Sequence, residues 1–223
     1  MRAAARALVI VFARAPRAGQ AKTRLVPRLG AAGAARLQAR LTSAALRTAL
    51  EARCGPVELH LTTRHSLFPG TQSLRVQRGA DLGARMHRAL AQGLRRHGAA
   101  ILIGTDCPAL RPPDLRRAAR LLAGGCDVVL APAEDGGYAL IGARRVSPQL
   151  FQGIPWGGAT VYTETLRRLA RLGYRSRSLR MLWDVDRPED LERLRSLRFA
   201  SALPRGARRS RGSRARSDGS GRT

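Results

Sequence analysis

The chain has 223 residues, 44% of them hydrophobic, and a formal charge of +26 from 41 basic against 15 acidic side chains. That length suits one sizeable core with at most an appendage, and no apolar run approaches the ~20 residues that a membrane-spanning helix needs. Aromatic residues make up only 4% of the chain, so the basic surface lacks the stacking platforms of a dedicated single-strand binder, and its field suits phosphorylated small substrates better.

The first predicted element is the buried strand "LVIVFA" (8–13), a short β-branched run. A basic start and an apolar stretch also occur in secretion signals, but this run is about as short as such a region can be, and a functional-looking loop follows it. In that loop, "VFARAPRAGQAKTRLVPRLG" (11–30), stands Lys22, the single lysine among forty arginines. Arg14, Lys22 and Arg24, with Pro16 and Gly19 shaping the turn before a helix, would offer positive side chains and backbone N–H groups to a phosphate chain. A lysine is a compact point charge where arginine is a planar fork, so its retention here suggests a geometric requirement. The loop is not a Walker A motif.

A helix is predicted over 31–53, a strand at "VELHLTT" (57–63) and a helix over 81–98, with Leu82, Met86, Leu90 and Leu94 on one buried face. The strand "AAILIGT" (99–105) leads directly to Asp106, and Pro108 prevents its continuation. A carboxylate just past a strand end is well placed to hold Mg²⁺ or Mn²⁺ against a diphosphate. A helix over 112–125 follows, started by Pro112 and Pro113. The strand "DVVLAPA" (127–133) then runs into "EDGGYALIG", where Glu134 and Asp135 precede Gly136, Gly137 and Tyr138. Paired glycines allow close approach of a ligand to the backbone, and the same residues suit a hairpin turn. Strand 138–144 and "GIPWGGATVYTETL" (153–166) come next, the latter with Trp156 to cover a sugar or base, or to pack, before a helix over 157–173. The last elements are a strand at 177–182, the pair Asp184 and Asp186 in "LWDVDRPEDLERL", and a helix over 188–197. Alternate strand residues share a face, so these two carboxylates could converge on one cation, Asp186 being the ligand chosen; equally, Pro188, Glu189 and Asp190 form an ordinary acidic helix start.

Alternation of near-continuous apolar strands with helices implies a three-layer α/β/α domain around a mostly parallel sheet. Ligands of such sheets bind beyond the carboxyl ends of the strands, where every polar cluster above falls. Residues 1–200 read as one domain and 201–223 as a disordered basic tail, with seven arginines and one acid from Pro204 onward; that tail could bind nucleic acid as an accessory role. Cys54, Cys107 and Cys126 are widely spaced, follow no metal-ligand pattern, and fit reduced thiols of a cytoplasmic protein. No nucleophile elbow is present.

Taken in order, "FARAPRAGQAKTRL", "GADLGARM", "GTDCPAL", "EDGGYALIG", "IPWGGATVYTETL" and "DVDRPEDL" resemble a bacterial family classed with GT-A-like glycosyltransferases, associated with arsenosugar biosynthesis and formerly a domain of unknown function. The family lies in the nucleotide-diphospho-sugar transferase superfamily. The first motif is also similar to the "AKSRL"-type segment of phospholactate guanylyltransferases. The resemblance implies a GT-A-like fold, phosphate roles for Lys22 and Arg24, and metal or nucleotide roles for Asp106 and Asp135. It departs from the glycosyltransferase pattern in one respect: residues 104–106 read Gly-Thr-Asp, and the only DxD is Asp184 to Asp186.

The resulting expectation is a metal-assisted transferase moving a sugar from a nucleotide-diphospho-sugar to a small acceptor, with nucleotidyl transfer and pyrophosphate release as the alternative. Arg14, Gly19, Lys22 and Arg24 would bind phosphates, and Asp106, Asp135 and Asp186 the cation. Gly136, Gly137, Tyr138 and Trp156 would meet the acceptor, Glu134 or Asp135 would serve as base, and Lys22 would offset charge on the leaving phosphate. The sequence leaves the oligomeric state open.

Overall fold

The computed structural model describes residues 6–68 and 73–196; the proposed tail lies outside them. Seven strands form one sheet in the order β3-β2-β1-β4-β6-β5-β7. They are β1 (Leu8–Ala13), β2 (Val57–Leu61), β3 (Leu74–Val76), β4 (Ala100–Gly104), β5 (Val128–Pro132), β6 (Tyr138–Ala143) and β7 (Ser176–Ser178). Only β6 is antiparallel to its neighbours, β4 and β5; the other pairings are parallel. The expected α/β architecture is therefore present.

The helices are α1 (Val26–Ala52), α2 (Leu82–Leu94), α3 (Pro112–Ala123), α4 (Val161–Arg171) and α5 (Asp190–Ser196). The period-two alternation of β1 builds both core layers. Val9 and Val11 join Leu59, Ile101, Ile103 and Val129 under Ala49 of α1 and Leu115 and Leu122 of α3. Leu8, Ile10 and Phe12 join Leu102, Leu130 and Ile141 under Met86 and Leu90 of α2 and Leu169 of α4. A third cluster of Leu25, Leu37, Leu41, Trp183, Val185 and Leu194 seats the loop after β1 against the segment before α5. No described helix is long and apolar enough to cross a membrane.

The structure departs from the predicted elements, which did not include β3. Strand β3 carries no alternation long enough to read. The last predicted strand shrinks to Ser176–Ser178, a polar edge strand pairing with β5 alone. On α2, Leu82 is 43% exposed rather than buried, because Gly83 takes the inward position: a Cβ there would come within 2.6 Å of the Trp156 ring.

Candidate active site

β6 enters the sheet in reverse, so its first residue shares an edge with the carboxyl ends of β1, β2, β4 and β5. At that edge lies a cleft of about 730 Å³, bounded by Arg14, Thr62, Gln77, Asp106, Asp135 and Trp156 among others. The loop after β1 is anchored by the Ala15 N–H donating to Thr62 Oγ1 at 3.0 Å. It then turns through Lys22, whose φ of 50° and ψ of 46° are left-handed, a conformation that costs a residue with a Cβ about 1–2 kcal/mol.

This backbone directs the Lys22 side chain inward. It is 3% exposed, and Nζ lies 2.8 Å from Asp106 Oδ1 while also donating to the Val185 carbonyl. The expected free phosphate-binding cation is thus a buried counterion, engaged by an acid and a backbone oxygen. Its isolation among arginines follows: three donors on a compact ammonium suit a slot that a five-donor fork would overfill.

The segment 182–186 reaches the site by lying across two strand ends. Leu182 N–H donates to Pro132 O at 2.8 Å, Glu134 N–H to Leu182 O at 2.9 Å, and Val185 N–H to Asp106 O at 2.7 Å. Cys107 Sγ donates to Trp183 O at 2.9 Å, and burial pushes its thiol up to about 12, which removes it as a nucleophile. The two acids of the segment both line the cleft but have different partners. Asp186 is ion-paired to Arg24, so the expected metal ligand and the expected phosphate arginine neutralise each other at the rim. Asp184 instead feels Asp135, Lys22 and Asp106. Burial first, and then the negative charge of Asp135, push its carboxyl up to about 6.

Asp135 stands in the turn between β5 and β6 and lines the cleft. Its Oδ1 accepts from Gly137 N–H at 2.9 Å, which fixes the carboxylate locally. Gly136 has φ +86°, and a Cβ on it would lie 2.0 Å from the Ala159 carbonyl oxygen; the close approach is to α4's start rather than to a ligand. Glu134 points the other way, to Arg193 at 2.8 and 3.2 Å, so the structure does not bring it into the cleft as a base. Tyr138 buries its hydroxyl, and burial raises that phenol; its ring meets Trp156 edge-on at 6.4 Å. Trp156 is half-buried, stacks against Phe151 at 6.5 Å, and lines the cleft. Arg14 is exposed at the cleft wall, whereas Gly19, with φ +76° and nothing within 4 Å of a built Cβ, only shapes the loop.

The structure adds residues that the sequence reading did not single out. Gln38 of α1, 2% exposed, donates to Thr105 Oγ1 at 3.0 Å, and Thr105 donates to Asp106 Oδ1 at 3.4 Å. The available signal was a polar pair, Gln38 and Thr42, in the apolar register of α1. Arg85 and Asp81, at the start of α2, face the same cleft. Among the described residues no three His, Cys, Asp or Glu side chains group as a ready metal cage. Carboxylates such as Asp106 and Asp184 on the cleft wall are nevertheless of the ligand type that Mg²⁺ or Mn²⁺ prefers.

The model of the family described as "Uncharacterized protein conserved in bacteria (DUF2064)" matches residues 45–158. Among solved structures, a candidate nucleotide-diphospho-sugar transferase from Desulfovibrio desulfuricans G20 is 28% identical, with a TM-score of 0.79 over 88% of this chain and 90% of that one. Rv0371c from Mycobacterium tuberculosis H37Rv is 22% identical, with a TM-score of 0.57 over 85% and 97%; it has also been solved with manganese. A CMP:2-keto-3-deoxy-manno-octonic acid synthetase in complex with CTP is 16% identical, with a TM-score of 0.53 over 86% and 98%. The last two likenesses concern the fold alone. No curated protein matches the chain at a significant level.

Proposed function

The chain belongs to the DUF2064 family, and we propose that it is a transferase using a nucleotide-activated donor, moving a sugar from a nucleotide-diphospho-sugar to a small acceptor. The observation carrying this reading is that Asp106, paired from behind with the buried Lys22, shares one cleft at the carboxyl edge of the sheet with Asp135 and Asp184. The candidate nucleotide-diphospho-sugar transferase from Desulfovibrio is in keeping with it, and the CTP and manganese complexes of proteins alike in fold are in keeping with nucleotide and divalent-cation binding alone.

In this reading the donor diphosphate runs along the cleft between Arg14 and Arg85, whose guanidiniums suit phosphate oxygens. Asp106 and Asp184 would hold a divalent cation, which supplies charge neutralisation at the departing diphosphate. Burial first, and then the charge of Asp135, raise the Asp184 carboxyl, and a cation beside it would offset both. Lys22 acts from behind, fixing one oxygen of Asp106, while Gln38 directs the Thr105 hydroxyl onto the same oxygen. Asp135, held by its own turn on the cleft wall, takes the proton of the acceptor hydroxyl. Trp156 provides an apolar face on which a sugar or acceptor ring lies.

Incubation with a panel of nucleotide sugars and, separately, nucleoside triphosphates, each with Mg²⁺ or Mn²⁺ and candidate acceptors, tests the proposal. Release of nucleoside diphosphate from a sugar donor supports it. Pyrophosphate from a triphosphate, with no diphosphate from any sugar donor, would transfer the site to nucleotidyl chemistry.

A further inference from the structure

The amino-terminal end of β5 lies at the sheet edge opposite the cleft, and arginines gather there. Asp127, just before β5, is bracketed in one row across three strands. Arg144 N–H donates to Asp127 O at 2.9 Å, and Asp127 N–H donates to Arg175 O at 2.8 Å. The row extends by one residue the registers that pair Val128 with Ala143 and with Ser176, which sends side chains to one face. Beside it Gly125, with φ +94°, turns the chain from α3 towards β5. A Cβ built on Gly125 would lie 3.4 and 3.8 Å from the two Nη atoms of Arg175 and 3.8 Å from Nη1 of Arg144. Two guanidiniums therefore face one spot. Arg177, two residues further along β7, adds charge that reaches Cys126 of the same turn, as that of Arg175 does.

Local structure leaves both guanidiniums open. Arginines at a helix C-terminus commonly donate to its last carbonyls, but the end of α3 is closed by the N–H groups of Gly124, Gly125 and Cys126. Among the described residues neither the Arg144 nor the Arg175 guanidinium donates a hydrogen bond. The one acid of the row, Asp127, has its Oδ2 3.8 Å from Arg175 Nε, and that oxygen already accepts from the Arg175 backbone N–H at 2.9 Å. Its single charge stands against two guanidiniums, or three with Arg177, and the Arg175 side chain stays 73% exposed. The balance is positive and open to solvent.

Guanidinium forks that converge in this way match the oxygens of a phosphate group. We propose that Arg144 and Arg175, beside Gly125, form an oxyanion site that takes a phosphate group, as inorganic phosphate or as a phosphate monoester. The site lies at the far end of β5 from Asp135, so its occupant is distinct from the donor, and it does not depend on the nucleotide-donor reading. Convergence on one spot suits a single phosphate rather than a nucleic-acid strand. The nearby Tyr174 packs against the α2–α4 core layer and carries Arg145 over its ring at 4.4 Å, which leaves no bare face for a base to stack on.

The test is a ¹H–¹⁵N NMR titration of the full chain with sodium phosphate, ionic strength being held constant with sodium chloride. The amides of Gly125, Asp127 and Arg175 are expected to shift and saturate with a dissociation constant of roughly 1–10 mM. Arg144→Gln should weaken that response roughly tenfold while the rest of the spectrum stays as in the wild type, which shows that the variant is folded. Cleft amides such as Gly137 report donor-site binding separately and should behave alike in both proteins. A second titration with glycerol 1-phosphate separates the sources: tighter binding assigns a phosphorylated metabolite, equal or weaker binding free phosphate, and both keep the site. No shift at the three amides, or the same shift with chloride alone, overturns the inference. So does a response that Arg144→Gln leaves intact, or one given by duplex DNA but by neither small phosphate, which would make the patch a polyanion surface.

Discussion

Replacing Lys22 with arginine keeps the charge and is predicted to damage the protein. The Lys22 side chain is 3% exposed, its ammonium sits 2.8 Å from Asp106 Oδ1, and the other acceptor in the slot is the Val185 carbonyl. A guanidinium brings five N–H groups in a rigid plane where an ammonium brings three on a rotor. At least one or two of the added donors would be buried without an acceptor, at about 1–3 kcal/mol each. The bulkier head adds about 1–3 kcal/mol of overpacking. A total of about 2–9 kcal/mol would lower the melting temperature by at least roughly 4 °C in a domain of this size. Thermal unfolding followed by circular dichroism measures it, with Arg36→Lys, on the exposed face of α1, as a control expected to shift by no more than about 1–2 °C. If Lys22→Arg also melts within about that range of the wild type, the slot does not select for an ammonium and the explanation of the lone lysine fails.

The carboxyl of Asp184 is raised from an ordinary 3.8 to about 6, so the native state holds its proton more tightly than the unfolded chain does. Stability on this account falls as pH rises from about 4 through 6 and stays lowered above that range. Asp184→Asn should therefore raise the melting temperature at pH 7.5 and leave it unchanged near pH 3.5, the gain corresponding to about 1–3 kcal/mol; an equal shift at both pH values would contradict it. Gly136→Ala should destabilise by about 2–4 kcal/mol, combining left-handed strain with a collision against the Ala159 backbone, read from the urea midpoint; an unchanged midpoint would show that the turn is not tied to α4. Glu134→Gln should leave turnover intact, because that carboxylate is engaged by Arg193 outside the cleft; loss of activity would restore it as the base.

What was legible in the sequence is what hydrophobic periodicity encodes. β1 was readable from Leu8 to Ala13, and Asp106 and Asp135 could be placed because each follows an apolar strand. Orientation of charged side chains was not legible. Asp184 and Asp186 look equivalent two residues apart, yet Arg24, 162 residues distant in sequence, pairs with Asp186, while Asp184 meets the charges of Asp135, Lys22 and Asp106. Buried polar networks are hidden for the same reason. Glu58 and His60 occupy inward positions of a strand that reads as apolar. Burial alone would raise the Glu58 carboxyl, but hydrogen bonds from Arg96 and His60 and the charge of both arginines, Arg96 and Arg75, hold it at about 2. Gln77 falls in the same class, since nothing local says that its amide will reach the carbonyls of Ala13 and His60.

In the proposed function a donor diphosphate and its cation meet at Asp106 and Asp184 beside the buried ammonium of Lys22. Crystals grown with MnCl₂ and a nucleoside diphosphate, measured for manganese anomalous scattering, test it most directly. A manganese peak beside the carboxylates of Asp106 and Asp184 and the nucleotide's phosphates is expected, with Lys22 still on Asp106. A nucleotide bound elsewhere, or a manganese peak remote from both carboxylates, would contradict it.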